Sequence, residues 1–177
     1  MRTAADLVDQ NLWAMDEEWL LRLRSIALGE GEGPEAVAAR LGRPLQNAQT
    51  ATTRGNVAII PIVGPVFRYA NLFTQVSGAT SIDIFARDLR AALDNPMVEA
   101  ILLEINSPGG QVDGINEAAD MIANAEKPTV AYVSGMGASA AYWLASAADR
   151  VVIDATARLG SIGVVVAIDR DRKAREG

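Results

Sequence analysis

The chain contains no histidine and no cysteine, and the two absences together remove a great deal of chemistry. Without cysteine there are no disulfides and no thiolate metal sites, which suits a reducing compartment. Without histidine a transition-metal site would have to be built from carboxylates alone, so neither a metal nor another cofactor is expected. Nor could the Ser-His-Asp arrangement activate a serine nucleophile, which leaves an amine base such as lysine. Lysine is itself scarce, with Lys127 and Lys173 its only occurrences in 177 residues. A formal charge of −6 argues against binding to the nucleic-acid backbone, so no nucleic-acid partner is expected. No stretch approaches the roughly 18 apolar residues of a membrane span. No apolar signal-peptide segment follows the first charges of Met1-Arg2-Thr3-Ala4-Ala5-Asp6 either. The expectation is a soluble chain with one core-bearing domain.

What is present falls into two parts. Over residues 4–28, Leu12, Trp13, Met15, Trp19, Leu20, Leu23 and Ile26 recur at helical spacing, and Gly29 follows. This spacing predicts a helix whose Trp/Leu stripe packs on the main domain, with a docking helix as the alternative. Pro34 and Gly42 bracket a second short helix, and residues 43–55 read as a linker. Residues 1–55 are therefore expected to be a helical appendage with its linker, and residues 56–177 the main domain. From Val57 the pattern changes to strands at 57–63, 98–105, 129–133, 150–153 and 162–168. Between them lie helices capped by Ser81, spanning 112–125, and a short Ala-rich one after Ser139. Strands alternating with helices indicate an α/β fold with a parallel sheet. In such sheets ligands gather at the carboxyl ends of strands. Two glycine-rich turns fall at that end, residues 107–110 and 135–139, and they are expected to be neighbours.

Those turns support two chemical readings. In the first, Ser139 is a nucleophile, and the main-chain N–H groups of Gly110 and Ala140 converge as an oxyanion hole. The ordinary alternative is a serine that merely caps the following helix. In the second, Gly135-x-Gly137-x-x-Ala140 is a dinucleotide fingerprint, with Asp154 ending the next strand. That fingerprint leaves Ser107-Pro108-Gly109-Gly110 and Gly160-Ser161-Ile162-Gly163 without a role. Asp113 and Glu117 read as favourable charges at a helix N-terminus, and together with Asp120 they give no reason to read a metal site. Tyr142 and Trp143 read as core or subunit contacts.

Three motifs in order, Asn106-Ser107-Pro108-Gly109-Gly110, Gly137-Ala138-Ser139-Ala140-Ala141-Tyr142-Trp143 and Gly160-Ser161-Ile162-Gly163-Val164, resemble the signal peptide peptidase A family of serine peptidases. The resemblance covers about residues 55–177 and is nearest to the phage branch, which includes capsid-assembly (prohead) proteases. It implies a ClpP/crotonase-like fold of repeated ββα units and frequent homo-oligomers. It implies a Ser-Lys dyad in which Ser139 is the nucleophile and Gly110 and Ala140 are the oxyanion donors. Gly109, Ser161 and Gly163 would then line the substrate. The substrate implied is a polypeptide such as a capsid or scaffold protein, and the setting is the host cytoplasm or the phage prohead. In the family the dyad lysine lies beyond the Gly-Ser-Ile-Gly strand, at a place that corresponds to about a dozen residues after Gly177. Neither Lys127 nor Lys173 occupies it, so the domain is expected to stop short of its general base. A non-catalytic assembly fragment, and a crotonase-type acyl-CoA enzyme on the same fold, are the alternatives.

Overall fold

A computed structural model of the protein describes residues 13–15, 20, 49–70 and 78–164. The larger sheet is built from β2 (Thr52–Arg54), β3 (Val57–Val63), β6 (Ala100–Ser107), β8 (Thr129–Ala138), β9 (Arg150–Ile153) and β10 (Arg158–Gly160). Its order is β10-β8-β6-β3-β2, with β9 also pairing with β8. The pairs β3–β6, β6–β8, β8–β9 and β8–β10 are all parallel, and β2 alone runs antiparallel, against β3. A smaller sheet runs in the order β1 (Trp13–Met15), β7 (Gly109–Gln111), β4 (Val66–Phe67), β5 (Thr80–Ser81). The predicted mostly parallel α/β architecture is therefore present.

Among the described residues three helices connect the strands: α1 (Ile82–Asp94), α2 (Ile115–Ala123) and α3 (Ala140–Ser146). Ser81 holds extended backbone and accepts a hydrogen bond from the N–H of Ile84, as its position before an apolar-periodic run predicts. Ile82, Phe85, Leu89 and Ala92 then form the buried face of α1. At the other end, Lys127 donates to the carbonyls of Ala92 and Asn95 at 2.8 and 2.7 Å, so a cation closes the helix C-terminus. The core between helices and sheet is aliphatic, with Ile60, Ile62, Leu103, Ile105, Ala131 and Val133 on the strands against Leu89, Ile115, Ile122 and Leu144 on the helices. Each large aliphatic side chain fully removed from water contributes about 1.5–3 kcal/mol.

Several boundaries differ from the sequence reading, and each difference has a partner strand as its cause. Trp13–Met15, expected within a helix, is a strand hydrogen-bonded antiparallel to β7. The packing half of that expectation survives, because Trp13, Met15 and Leu20 are buried and the Trp13 ring meets Phe67 edge-on at 5.8 Å. Thr52–Arg54, expected in the linker, pairs with β3. The strand expected at 129–133 continues to Ala138, because β10 supports its second half just as β9 supports its first. Residues 161–164 are not in a strand. The rest of the strand expected at 162–168, the helix between Pro34 and Gly42, and Lys173 lie outside the described residues.

Candidate active site

The site begins with a disruption between β6 and β8. Ile105 pairs with Val133 but Ser107 pairs with Gly137, so Ser134, Gly135 and Met136 stand opposite Asn106 alone. Such a bulge re-aims the strand end. The Asn106 side chain fills it, its Oδ1 accepting from the N–H of Met136 at 3.2 Å. A Cβ on Gly135 would stand 2.7 Å from that oxygen. Gly135 and Gly137 are therefore interior residues of β8, placed for close packing, and do not form a phosphate-cradling turn. Asp154, the other element of the dinucleotide reading, folds back on Thr156, whose N–H and hydroxyl both reach its Oδ1. The backbone hydrogen bond and then the hydroxyl hold this exposed carboxyl below its ordinary pKa. The seven-residue length of α3 completes the case against a nucleotide fingerprint.

The re-aimed end of β8 delivers Ser139. Its backbone has φ 54° and ψ −115°, far from the ordinary left-handed well, where ψ is near +45°. Its N–H donates to the carbonyl of Gly160 at 2.8 Å, which holds the turn from outside. The side chain makes no capping bond to α3. Instead, Oγ donates to the carbonyl of Gly163 at 3.1 Å, in a residue only 6% exposed. An ordinary N-cap serine has extended backbone and bonds the first turn of its helix. Ser139 does neither. Sharp, strained strand-to-helix turns of this kind present nucleophilic serines in α/β-hydrolases.

The Pro-Gly-Gly turn lies against this one. A Cβ on Gly109, whose φ is +94°, would stand 3.0 Å from the amide nitrogen of Ala140 and 2.9 Å from the carbonyl oxygen of Ala138. A Cβ on Gly110 would overlap the carbonyl oxygen of Val66 at 1.9 Å. Only glycine fits either position. Ser107, fully buried, accepts the N–H of Gly109 at 3.1 Å and stiffens the turn. A cavity of about 310 Å³ opens beside Ser139, and its largely apolar walls include Ala14, Tyr142, Trp143, Ile162, Gly163 and Val164. Of the sequence-nominated residues, Ser139 and Gly163 thus share one cavity, and Gly109 and Ala140 pack together. Ser161, exposed and with φ 55°, is outside the cavity walls. Tyr142 is partly buried and Trp143 is exposed, so neither is a core residue, and both line the cavity. Sequence reasoning missed Asn106 as the bulge support and Ala14 as a wall. Neither carries a local signal, since both roles depend on a strand far away in the chain.

No described lysine approaches Ser139. Lys127 precedes the start of β8 and Ser139 follows its end, a separation of roughly 30 Å along a ten-residue strand. Among the described residues no cluster of carboxylates could hold a metal ion, and no helix is long and apolar enough to cross a membrane.

The fold and the strained serine turn together define an α/β protein of ClpP/crotonase-like architecture. A mutant of the 1510-N membrane-bound stomatin-specific protease, solved with a substrate peptide, has the same fold. It superposes with a TM-score of 0.52 at 21% identity, over 68% of this chain and 51% of that one. The family described as NfeD1b, N-terminal domain, matches residues 79–175, more than half of the chain, and the chain belongs to it. The named relatives make it a member of the SppA-type serine protease family, with its phage prohead protease branch. Capsid assembly protease C of Escherichia phage lambda is 34% identical over 148 residues, covering 82% of this chain and 31% of that protein. Head-tail preconnector protein GP5 of Enterobacteria phage P21 is 37% identical over 112 residues, covering 62% of this chain and 22% of that protein. The chain therefore spans about a third or less of the length of these two relatives.

Proposed function

We propose that the chain carries the nucleophile and oxyanion half of a serine endopeptidase, with Ser139 as nucleophile. The observation that carries the reading is the conformation of Ser139: strained backbone, no helix-capping bond, and a hydroxyl that donates to the Gly163 carbonyl at an apolar cavity. In the reaction, Oγ attacks the carbonyl carbon of a peptide bond while a neutral lysine amine takes the hydroxyl proton. The N–H groups of Gly110 and Ala140 stabilise the oxyanion that forms. Collapse breaks the C–N bond, the protonated amine gives its proton to the leaving nitrogen, and water later hydrolyses the acyl-enzyme. Gly109, Ser161 and Gly163 border the substrate in this reading. In this reading the lysine lies outside the described residues, and residues 56–177 belong to the peptidase domain. Names of relatives from two phages support a polypeptide substrate of the capsid or scaffold type. Homo-oligomeric assembly and a prohead or host-cytoplasmic setting belong to the same reading.

The test is covalent labelling with a fluorophosphonate, with the modified residue located by peptide mapping. Label at Ser139 that is lost in Ser139→Ala is the expected result. It is to be measured with and without a high concentration of a small alkylamine, which can stand in for a missing lysine. No label at Ser139 under either condition refutes the nucleophile assignment.

A further inference from the structure

The edge of β7 that a polypeptide substrate needs is already occupied by the chain itself. β7 begins at Gly109-Gly110, runs beside the Ser139 turn, and has β4 on one edge. Its other edge is taken by β1, antiparallel, with Trp13 opposite Gln111, Ala14 opposite Gly110 and Met15 opposite Gly109. An extended peptide binds a sheet by adding itself to an open edge through main-chain hydrogen bonds. For a peptide carbonyl to reach both Ser139 and the main-chain donors, its chain has to lie along this edge. The position of Ala14 sharpens the point. Its carbonyl oxygen and the amide nitrogen of Ala140 both lie within 3.0 Å of one point, the place a Cβ on Gly109 would take. Ala14 also shares the cavity wall with Ser139. A backbone carbonyl of this chain therefore sits beside the donors proposed for the oxyanion.

We propose that Trp13–Met15 is a built-in pseudosubstrate: a strand that occupies the polypeptide-binding edge of β7 and must leave it before a substrate can enter. The proposal rests on the peptidase reading and concerns the regulation of the same site. Its anchor is the fully buried Trp13 ring, set edge-on against Phe67. Among the described residues β1 is the terminal strand of its sheet. Release breaks the β1–β7 ladder and exposes the buried side chains of Trp13, Ala14 and Met15, while the pairing of β3, β6 and β8 does not depend on β1. Substrate affinity is then reduced by the fraction of molecules in which the edge is vacant.

The experiment uses the full chain and a fluorescent peptide with the sequence of residues 11–16, Asn-Leu-Trp-Ala-Met-Asp, read by polarisation. Ala14→Arg places a charged side chain against the cavity wall, and Trp13→Ala removes the anchor. Each is checked for a cooperative melt. Folded variants should bind the peptide about tenfold or more tightly than the native chain, because the self-competitor is gone. Equal or weaker binding would make β1 a fixed wall of the groove and overturn the proposal. Hydrogen exchange on the native chain decides the matter if neither variant folds. The amides of β1 should exchange through local opening, well before those of β6 and β8. Exchange of β1 only on global unfolding would equally overturn it. Peptide binding needs no nucleophile, so failure to label Ser139 leaves this result readable by itself.

Discussion

Replacing Ser139 by threonine and by glycine separates a strained nucleophile turn from an ordinary helix cap. At an N-cap, threonine and glycine stabilise a helix about equally. At φ 54° and ψ −115° they do not. A β-branched residue there carries the upper end of the strain range, about 3 kcal/mol, whereas glycine carries almost none. Two terms offset part of that gap. Glycine gives the unfolded chain extra freedom, about 0.4–1 kcal/mol. It also loses the hydroxyl bond to the Gly163 carbonyl, 3.1 Å long in the native chain, worth about 0.5–1.5 kcal/mol where threonine keeps it. The balance favours Ser139→Gly over Ser139→Thr by about 1 kcal/mol, which for a chain of this size is a melting difference of roughly 2–4 °C. Differential scanning calorimetry of the two variants at one protein concentration and pH measures it. If Ser139→Thr melts at or above Ser139→Gly, the turn is not strained and the principal support for a nucleophile at this position is lost.

Two further outcomes follow from the packing around the site. Gly110→Ala puts a methyl group 1.9 Å from the carbonyl oxygen of Val66, so β4 and β7 have to separate; overpacking against backbone predicts a loss of about 3 kcal/mol or more in urea unfolding. A loss below about 1 kcal/mol would mean that the turn yields easily and cannot be a fixed donor site. Asp149→Ala removes the acceptor of both the N–H and the hydroxyl of Thr129, at 2.7 and 3.1 Å. Since Thr129 is buried at the start of β8, the loss should be about 1–3 kcal/mol in the same assay, and an unchanged midpoint would contradict it.

How much of this was legible in the residues follows from how local each feature is. Parallel α/β architecture was, because the apolar strands, the Ser81 cap and the α1 stripe at Ile82, Phe85, Leu89 and Ala92 are local patterns. The lack of a histidine in these 177 residues was read from composition alone. The requirement for glycine at 109 and 110 was not, because it comes from the backbone of Ala14, Ala138 and Val66 packed against them. Helical spacing at residues 12–26 misled for Trp13–Met15, because spacing records a periodicity and cannot see an open strand edge almost a hundred residues later. The turn expected from residue 135 is strand up to Ala138 for a similar reason. Its glycines answer to Asn106 and to β10, neither of which is a neighbour in sequence.

The amino-acid sequence by itself determined the sheet type, the turn glycines and the chemistry available to Ser139, since each depends on residue identity and short-range order. Tertiary structure alone decided that Ser139 is a strained residue whose hydroxyl donates to the Gly163 carbonyl at a cavity, because the Gly160 and Gly163 carbonyls that hold it arrive from beyond β9. It alone decided, too, that Trp13–Met15 is a strand lying on the edge of β7. A strand's hydrogen bonds are made with another segment, and which segment that is depends on the assembled sheet.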